Sequence, residues 1–217
     1  MSELNLTHSN GNKVKLTTPD TLAASKTFKL PGADGSAGQF LKTDGSGALS
    51  FDTPTDTTGK VLQIKHAIKT DTQDFGNISQ GAETAIPFVA SITPSSSSNK
   101  ILVQMMITTD NGSTHATFVT AKKTTGGTTT EPAIGDAASN RHRITTGTND
   151  NATSSLRNVH VLFVDTAGTT NQIDYGFTLS HNDNNPVAMY LNYHGGDSDY
   201  SYNGRGVSSI VLTEFEP

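Results

Sequence analysis

The residues with most chemistry to offer lie near the C-terminal end of this 217-residue chain. Asp197-Ser198-Asp199-Tyr200-Ser201-Tyr202-Asn203-Gly204 sets side-chain oxygens at alternate positions, as a calcium loop does. An EF-hand would need Gly where Tyr202 stands and a bidentate Glu where Ser208 stands, so the stretch reads as an Asp/Asn-rich turn. Tyr190, Tyr193, Tyr200 and Tyr202 make this the aromatic part of the chain. Rings that stack and hydroxyls that hydrogen-bond suit contact with carbohydrate or protein. The candidate receptor contacts are therefore Asp197, Asp199, Tyr200, Tyr202 and Asn203, with Tyr190 and Tyr193 packing in or beside the scaffold.

Other reactive types are dispersed. Histidines 8, 66, 115, 142, 160, 181 and 194 show neither His-x-His nor His-x-x-x-His spacing, and read as strand or loop residues rather than metal ligands. The absence of cysteine excludes disulfides, zinc-thiolate sites and thiol catalysis. No Gly-x-Ser-x-Gly elbow, phosphate-binding loop, dinucleotide fingerprint or His-Glu-x-x-His is present. A carboxylate pair for glycoside cleavage is the one enzymatic option composition leaves open, but a depolymerising parallel β-helix would need more length and a repeat. The expectation is a non-enzyme with no catalytic residue, no cofactor and no metal ligand set. Basic and acidic residues number 15 and 20, giving a net charge of −5, which argues against nucleic acid as the main partner. The basic knot Arg141-His142-Arg143 reads as a solvated strand edge. No apolar run could span a membrane, and no signal peptide is visible.

The elements that must position these residues are strands. Thr, Ser, Asn and Gly make up 90 of the 217 residues, while Leu, Ile, Val and Phe number 45. Such a polar, weakly charged, Thr-rich composition points to an all-β, loop-rich protein. From Lys60 onward, strands are expected over 60–69, 85–93, 100–108, 115–121, 141–145, 155–165, 172–180, 187–194 and 207–215, divided by Gly, Asn, Asp, Ser or Pro clusters. That spacing predicts a C-terminal antiparallel β-sandwich, jelly-roll-like, over residues 59–217. The low-complexity stretch 124–140 reads as a long loop, and 182–185 and 195–204 as loop tips, where a β-scaffold carries binding surface.

Residues 1–58 differ. Glu3–His8 and Lys13–Thr17 alternate with period two around Asn10-Gly11, a hairpin signal. Further short strands are expected over 26–30, 39–43 and 48–51. The apolar anchors Leu4, Leu6, Val14, Leu16, Phe28, Leu30, Phe40, Leu41, Leu49 and Phe51 are too few for a monomeric core. The segment is expected to order against other copies of the chain as a short β-rich stalk.

Three blocks carry a resemblance. Leu30-Pro31-Gly32-Ala33-Asp34-Gly35-Ser36-Ala37-Gly38-Gln39-Phe40-Leu41-Lys42-Thr43-Asp44-Gly45-Ser46-Gly47-Ala48-Leu49-Ser50-Phe51 closely resembles a segment of bacteriophage tail-fibre and related virion proteins. Ala90-Ser91-Ile92-Thr93-Pro94-Ser95-Ser96-Ser97-Ser98-Asn99-Lys100-Ile101-Leu102-Val103 is similar to the start of C-terminal β-domains in fibre-like proteins of phages from aquatic hosts. Ser208-Ser209-Ile210-Val211-Leu212-Thr213-Glu214-Phe215 is similar to the way those domains close. The resemblance implies a homotrimeric appendage on the virion surface. Residues 1–58 would attach it to tail or baseplate, and residues 59–217 would face a host polysaccharide or protein receptor. A single Asp-Gly-Ser block without an extended shaft departs from long fibres and favours a short fibre or a decoration. The alternatives are a capsid decoration or head fibre without a dedicated receptor and, further off, a secreted bacterial lectin.

Overall fold

The computed structural model describes residues 3–17, 21, 23–54, 59–112, 114–149, 155–199 and 203–217; of residues 3, 5 and 14–17 it describes the backbone alone. The described residues form antiparallel strands and no helix, the all-β class expected from composition. The chain divides into two compact units, Met1–Asp56 and Thr57–Pro217.

In the first unit, β1 (Glu3–Thr7) and β2 (Lys13–Thr17) pair antiparallel, with Leu4 opposite Leu16 and Leu6 opposite Val14. The turn between them closes through Gly11, whose φ of 87° suits a residue without a Cβ. A second hairpin joins β3 (Phe40–Thr43) to β4 (Leu49–Asp52). The Asp-Gly-Ser block builds this hairpin from its own side chains. Asp44 Oδ1 accepts from the N–H groups of Ser46 at 2.8 Å and Ala48 at 3.0 Å, and Gln39 Oε1 accepts from Ser36 N–H at 2.7 Å. Gly35 lies against the Phe51 ring, where a Cβ would come within 2.7 Å. Residues 26–30 form no strand; Lys29 alone makes a parallel bridge to Ala48. Leu4, Leu6, Phe28, Leu30, Phe40, Leu41 and Phe51 are exposed in the single chain, and Leu49 is half-buried. The side chains of Val14 and Leu16 lie outside the described residues.

The second unit is two sheets on one core. One contains β7 (Thr84–Ala85), β8 (Ala90–Ile92), β10 (Thr117–Thr125), β11 (Thr128–Thr130), β12 (Thr146–Thr148) and β14 (Ile173–His181). The other contains β5 (Val61–Lys69), β6 (Gln73–Ile78), β9 (Lys100–Asn111), β13 (Arg157–Thr166), β15 (Val187–Leu191) and β16 (Ser208–Phe215). Successive long strands alternate between sheets: β9, β13 and β15 in one, β10 and β14 in the other. Period-two alternation sends Ile101, Val103, Met105 and Ile107 of β9 and Ile210 and Leu212 of β16 inward, to meet Val119, Tyr175, Phe177 and Leu179 from the facing sheet.

In this unit three expectations are corrected. Residues 124–140 are not wholly loop, because β10 runs on to Thr125 and turns back into β11 at Gly126-Gly127, with φ of 55° and 81°. Two consecutive positive φ values make the primed turn that matches strand twist. The stretch 141–145 is not a strand; His142 instead stacks on Phe118 with ring centroids 5.4 Å apart, and β12 begins at Thr146. The span 85–93 breaks into two short strands, interrupted around Pro87.

Buried polar residues tie the sandwich together at its ends. Glu214 has no exposed surface, yet accepts from Asn99 Nδ2 at 2.6 Å, Ser95 N–H at 2.7 Å, Ser95 Oγ at 2.9 Å and Gln63 Nε2 at 2.5 Å. Burial alone would raise its pKa, but these donors outweigh it and hold the carboxyl below the usual range. Near the other end, Asn192 sits at φ 66°, fully buried, its side chain donating to the carbonyls of Lys69 and Asp71 and accepting from Ser208 Oγ at 2.7 Å.

Candidate functional site

The loops of interest gather at the end of the sandwich opposite the one where β5 begins beside the last residue of β16. Nine residues of β5, at roughly 3.3 Å each, put about 30 Å between the two ends. Residues 112–116 follow β9, residues 182–186 follow β14, and residues 192–207 link β15 to β16.

Asp110 anchors this end. Its carboxylate accepts from Ser155 N–H and Gly195 N–H, each at 3.1 Å, and so joins the segment before β13 to the 192–207 loop. Burial pushes its pKa up, against the pull of those two N–H groups and of nearby His194 and Arg157. The loop is braced further along. Arg205 donates to both oxygens of Asp197, at 2.6 and 3.2 Å, in the bidentate manner. Asn203 Nδ2 donates to the carbonyls of Gly196 and Ser198, and its Oδ1 lies 2.6 Å from His194 Nε2.

Tyr190 and Tyr193 meet edge to face with centroids 5.2 Å apart. Gly195 lies over Tyr190, where a Cβ would come within 2.5 Å of the ring. Burial, then the neighbouring carboxylates Asp74 and Asp110, raise the Tyr190 hydroxyl above the usual phenol range. The Tyr193 hydroxyl is raised as well, by burial and then by Asp74, so both phenols stay neutral at physiological pH.

Named contacts also join the adjoining segments. His181 is buried and accepts Asp183 N–H at Nδ1, 3.1 Å away, leaving Nε2–H to donate to the Ile78 carbonyl at 2.7 Å. Asp183 then faces His115, with Nδ1 to Oδ2 at 3.0 Å. Asn182 Oδ1 accepts Ala116 N–H at 2.9 Å and so ties this loop to the one after β9.

Two open grooves result. One, of about 500 Å³, is lined by Asp197, Ser198, Asp199, Asn203 and Arg205. The other, of about 460 Å³, has His115, Asp183, Asn77 and Tyr190 among its walls. Such grooves offer paired charges, amide edges and a tyrosine ring to a polar, extended ligand.

Of the five residues picked from sequence, Asp197, Asp199 and Asn203 fall together around the first groove; Tyr200 and Tyr202 lie outside the described residues. Asn203 is committed to bracing the loop, and Asp197 to Arg205. The His115–Asp183 pair and the anchor Asp110 lie outside that set. The turn signal Asp110-Asn111-Gly112 was the available clue to the anchor, whereas the pair joins residues 68 positions apart and leaves no local pattern. Among the described residues, no cluster of His, Asp or Glu gathers three or more groups that could hold a metal ion. No protein-family model matches the sequence, and no curated protein matches it.

Proposed function

We propose that this chain is a bacteriophage virion structural protein: a short homotrimeric tail fibre, not an enzyme, that attaches to the particle through residues 1–58. Its C-terminal sandwich reads a polysaccharide on the host surface. The observation that carries the receptor part is the cross-braced end of the sandwich opposite the start of β5, where grooves hold Tyr190, the His115–Asp183 pair and the Asp197–Arg205 pair. Sugars are held by ring faces and by charged or amide edges, and a fixed site loses little entropy on binding. The trimeric part is supported by the first unit, whose Leu4, Leu6, Phe28 and Leu30 stay exposed in a single chain. The virion part rests on the resemblance of residues 30–51, 90–103 and 208–215 to phage fibre proteins.

The test is localisation with binding. Antibody-labelled particles should carry the protein on the tail, and the purified chain should bind host surface polysaccharide and compete with phage for adsorption. Label confined to the capsid, with no competition, would replace the fibre reading by capsid decoration.

A further inference from the structure

The sheet that carries β5, β16, β9 and β13 buries one face in the core and turns the other outward. Outward positions follow from register: Ile68–Ser209–Met106–His160, His66–Val211–Gln104–Leu162 and Ile64–Thr213–Leu102–Val164 form three consecutive cross-strand rows. An outward sheet face of a soluble sandwich ordinarily alternates to polar residues. Here Ile64 and Ile68 are each 60% exposed, Leu162 68% and Val164 56%, with Leu102, Met106 and Val211 half-buried between them. A shallow dish of about 390 Å³ lies at its centre, against Met106, His160, Leu162 and Val211.

We infer that this face is the surface through which a second copy of the chain packs, so that the C-terminal sandwich itself contributes to self-association. Area is the first argument. With neighbouring Val61 and the half-buried Phe215 included, the exposed apolar surface is on the order of 600 Å², at roughly 100 Å² for each well-exposed side chain and less for Phe215. That is at the top of the roughly 300–600 Å² found for the largest patch of a monomer, and approaches the about 800 Å² per partner of a stable interface.

Charge is the second argument. Within the three rows the ionisable groups are His66 and His160, and no carboxylate is present; Lys100, bonded to Thr166 at 2.7 Å, marks one end. A charged partner would find no carboxylate, Lys or Arg within the rows to pair with, and the exposed aliphatic side chains Ile64, Ile68, Leu162 and Val164 offer a glycan no donor or acceptor. The same face of another copy matches this one, like against like, and around a threefold axis each copy's face can meet those of its two neighbours. The inference deepens the trimeric reading above and is independent of the receptor.

The experiment uses the full chain. Light scattering at micromolar concentration should give a mass above the 22.9 kDa of one chain. The variant Ile64→Thr/Ile68→Thr/Leu162→Thr/Val164→Thr keeps β-favouring or polar residues on an outward face, and should fall to one chain mass, or weaken association at least 100-fold, with an unchanged circular dichroism spectrum. Separately, p-benzoylphenylalanine in place of Leu162 should photocross-link to the same sheet of another copy, as read by mass spectrometry of the joined peptides. That single-site readout does not depend on the fourfold variant folding. A wild-type mass of one chain would overturn both this inference and the trimer. A folded variant that stays fully oligomeric would overturn this inference alone and leave assembly to residues 1–56. Cross-links confined to residues 1–56, or flotation of the protein with phosphatidylcholine vesicles, would also overturn it.

Discussion

Asn99 Nδ2 donates to Glu214 Oε1 at 2.6 Å, joining residues 115 positions apart in a fully buried contact. The two residues belong to separate sequence blocks, the Pro-Ser-Ser-Ser-Ser-Asn turn before β9 and the Thr-Glu-Phe ending of β16. The polar turn is therefore the socket of a buried carboxylate rather than a solvated connection. Ser95 and Asn99 stand where they do because Glu214 needs several donors once it has left water.

Asn99→Ala should cost about 1.5–3 kcal/mol, the scale for a hydrogen bond to a charged group. Glu214's folded pKa is depressed, so its contribution is present above the ordinary carboxylate range and is lost as pH falls through the depressed value. Glu214→Gln should flatten the acid limb of stability against pH while retaining acceptors for Ser95 and Asn99. Urea melts between pH 3 and pH 7 check both expectations.

Asp110 holds two segments by their N–H groups, one on each carboxylate oxygen. Asp110→Ala leaves both donors unmatched and should loosen residues 192–207 while β9 and β16 stay formed. Hydrogen exchange at Ser155 and Gly195 should quicken tenfold or more, about 1.4 kcal/mol or greater, with core amides much less affected. Equal acceleration throughout would show that Asp110 supports the whole sandwich and not its loops.

Tyr175 is fully buried, and its hydroxyl donates to Asp165 at 2.7 Å, a carboxylate that also receives Lys123 Nζ at 2.8 Å. Burial first, then Asp165, pushes this phenol far above its ordinary pKa. A raised folded value gives stability that is complete below the unfolded phenol pKa and is lost as pH rises beyond it. Alkaline spectrophotometric titration of Tyr175→Phe should show the same native amplitude as wild type, and a smaller one only after unfolding. A native amplitude reduced by one tyrosine would contradict the assignment.

Tyr200 and Tyr202, which lie outside the described residues, remain the strongest choice from sequence for anchors of the proposed receptor contact. Replacing both with Ala should weaken glycan binding by about 2 kcal/mol or more, as aromatic hot spots do. Phage adsorption should drop with particle yield unchanged. Unaltered adsorption by a folded double variant would remove these rings from the site.

The sequence exposed the apolar strands and hid the polar ones. β9 and β13 are near-continuous apolar runs, β14 and β16 alternate apolar with polar or smaller residues, and all four lie within a few residues of where the sequence predicts strands. β6 carries Asp74 and Gly76, and β11 is Thr-Thr-Thr, so neither offers a hydrophobic period to read. Position within the loops was legible for Asp197, Asp199 and Asn203, because turn composition marks a loop tip. The contacts that stiffen those loops were not, since Asp110–Gly195 and His115–Asp183 are set by strand register over long separations. The apolar outer rows were also hidden: Val-His-Val-Leu-Phe-Val in β13 reads as a buried strand until its partner shows which side faces out.

β16 lies between β5 and β9 and bonds to both. During synthesis these two strands emerge long before the one that separates them. At about 5–20 residues per second, the hundred or so residues after β9 take several seconds or more to follow. For that interval β5 and β9 each present an unsatisfied edge to the cell. The Lys residues at 60, 65 and 69 are suited to discouraging those edges from meeting another nascent chain. The sheet closes only once Phe215 has left the ribosome, so the sandwich can complete its fold only after nearly all of residues 57–217 have been made.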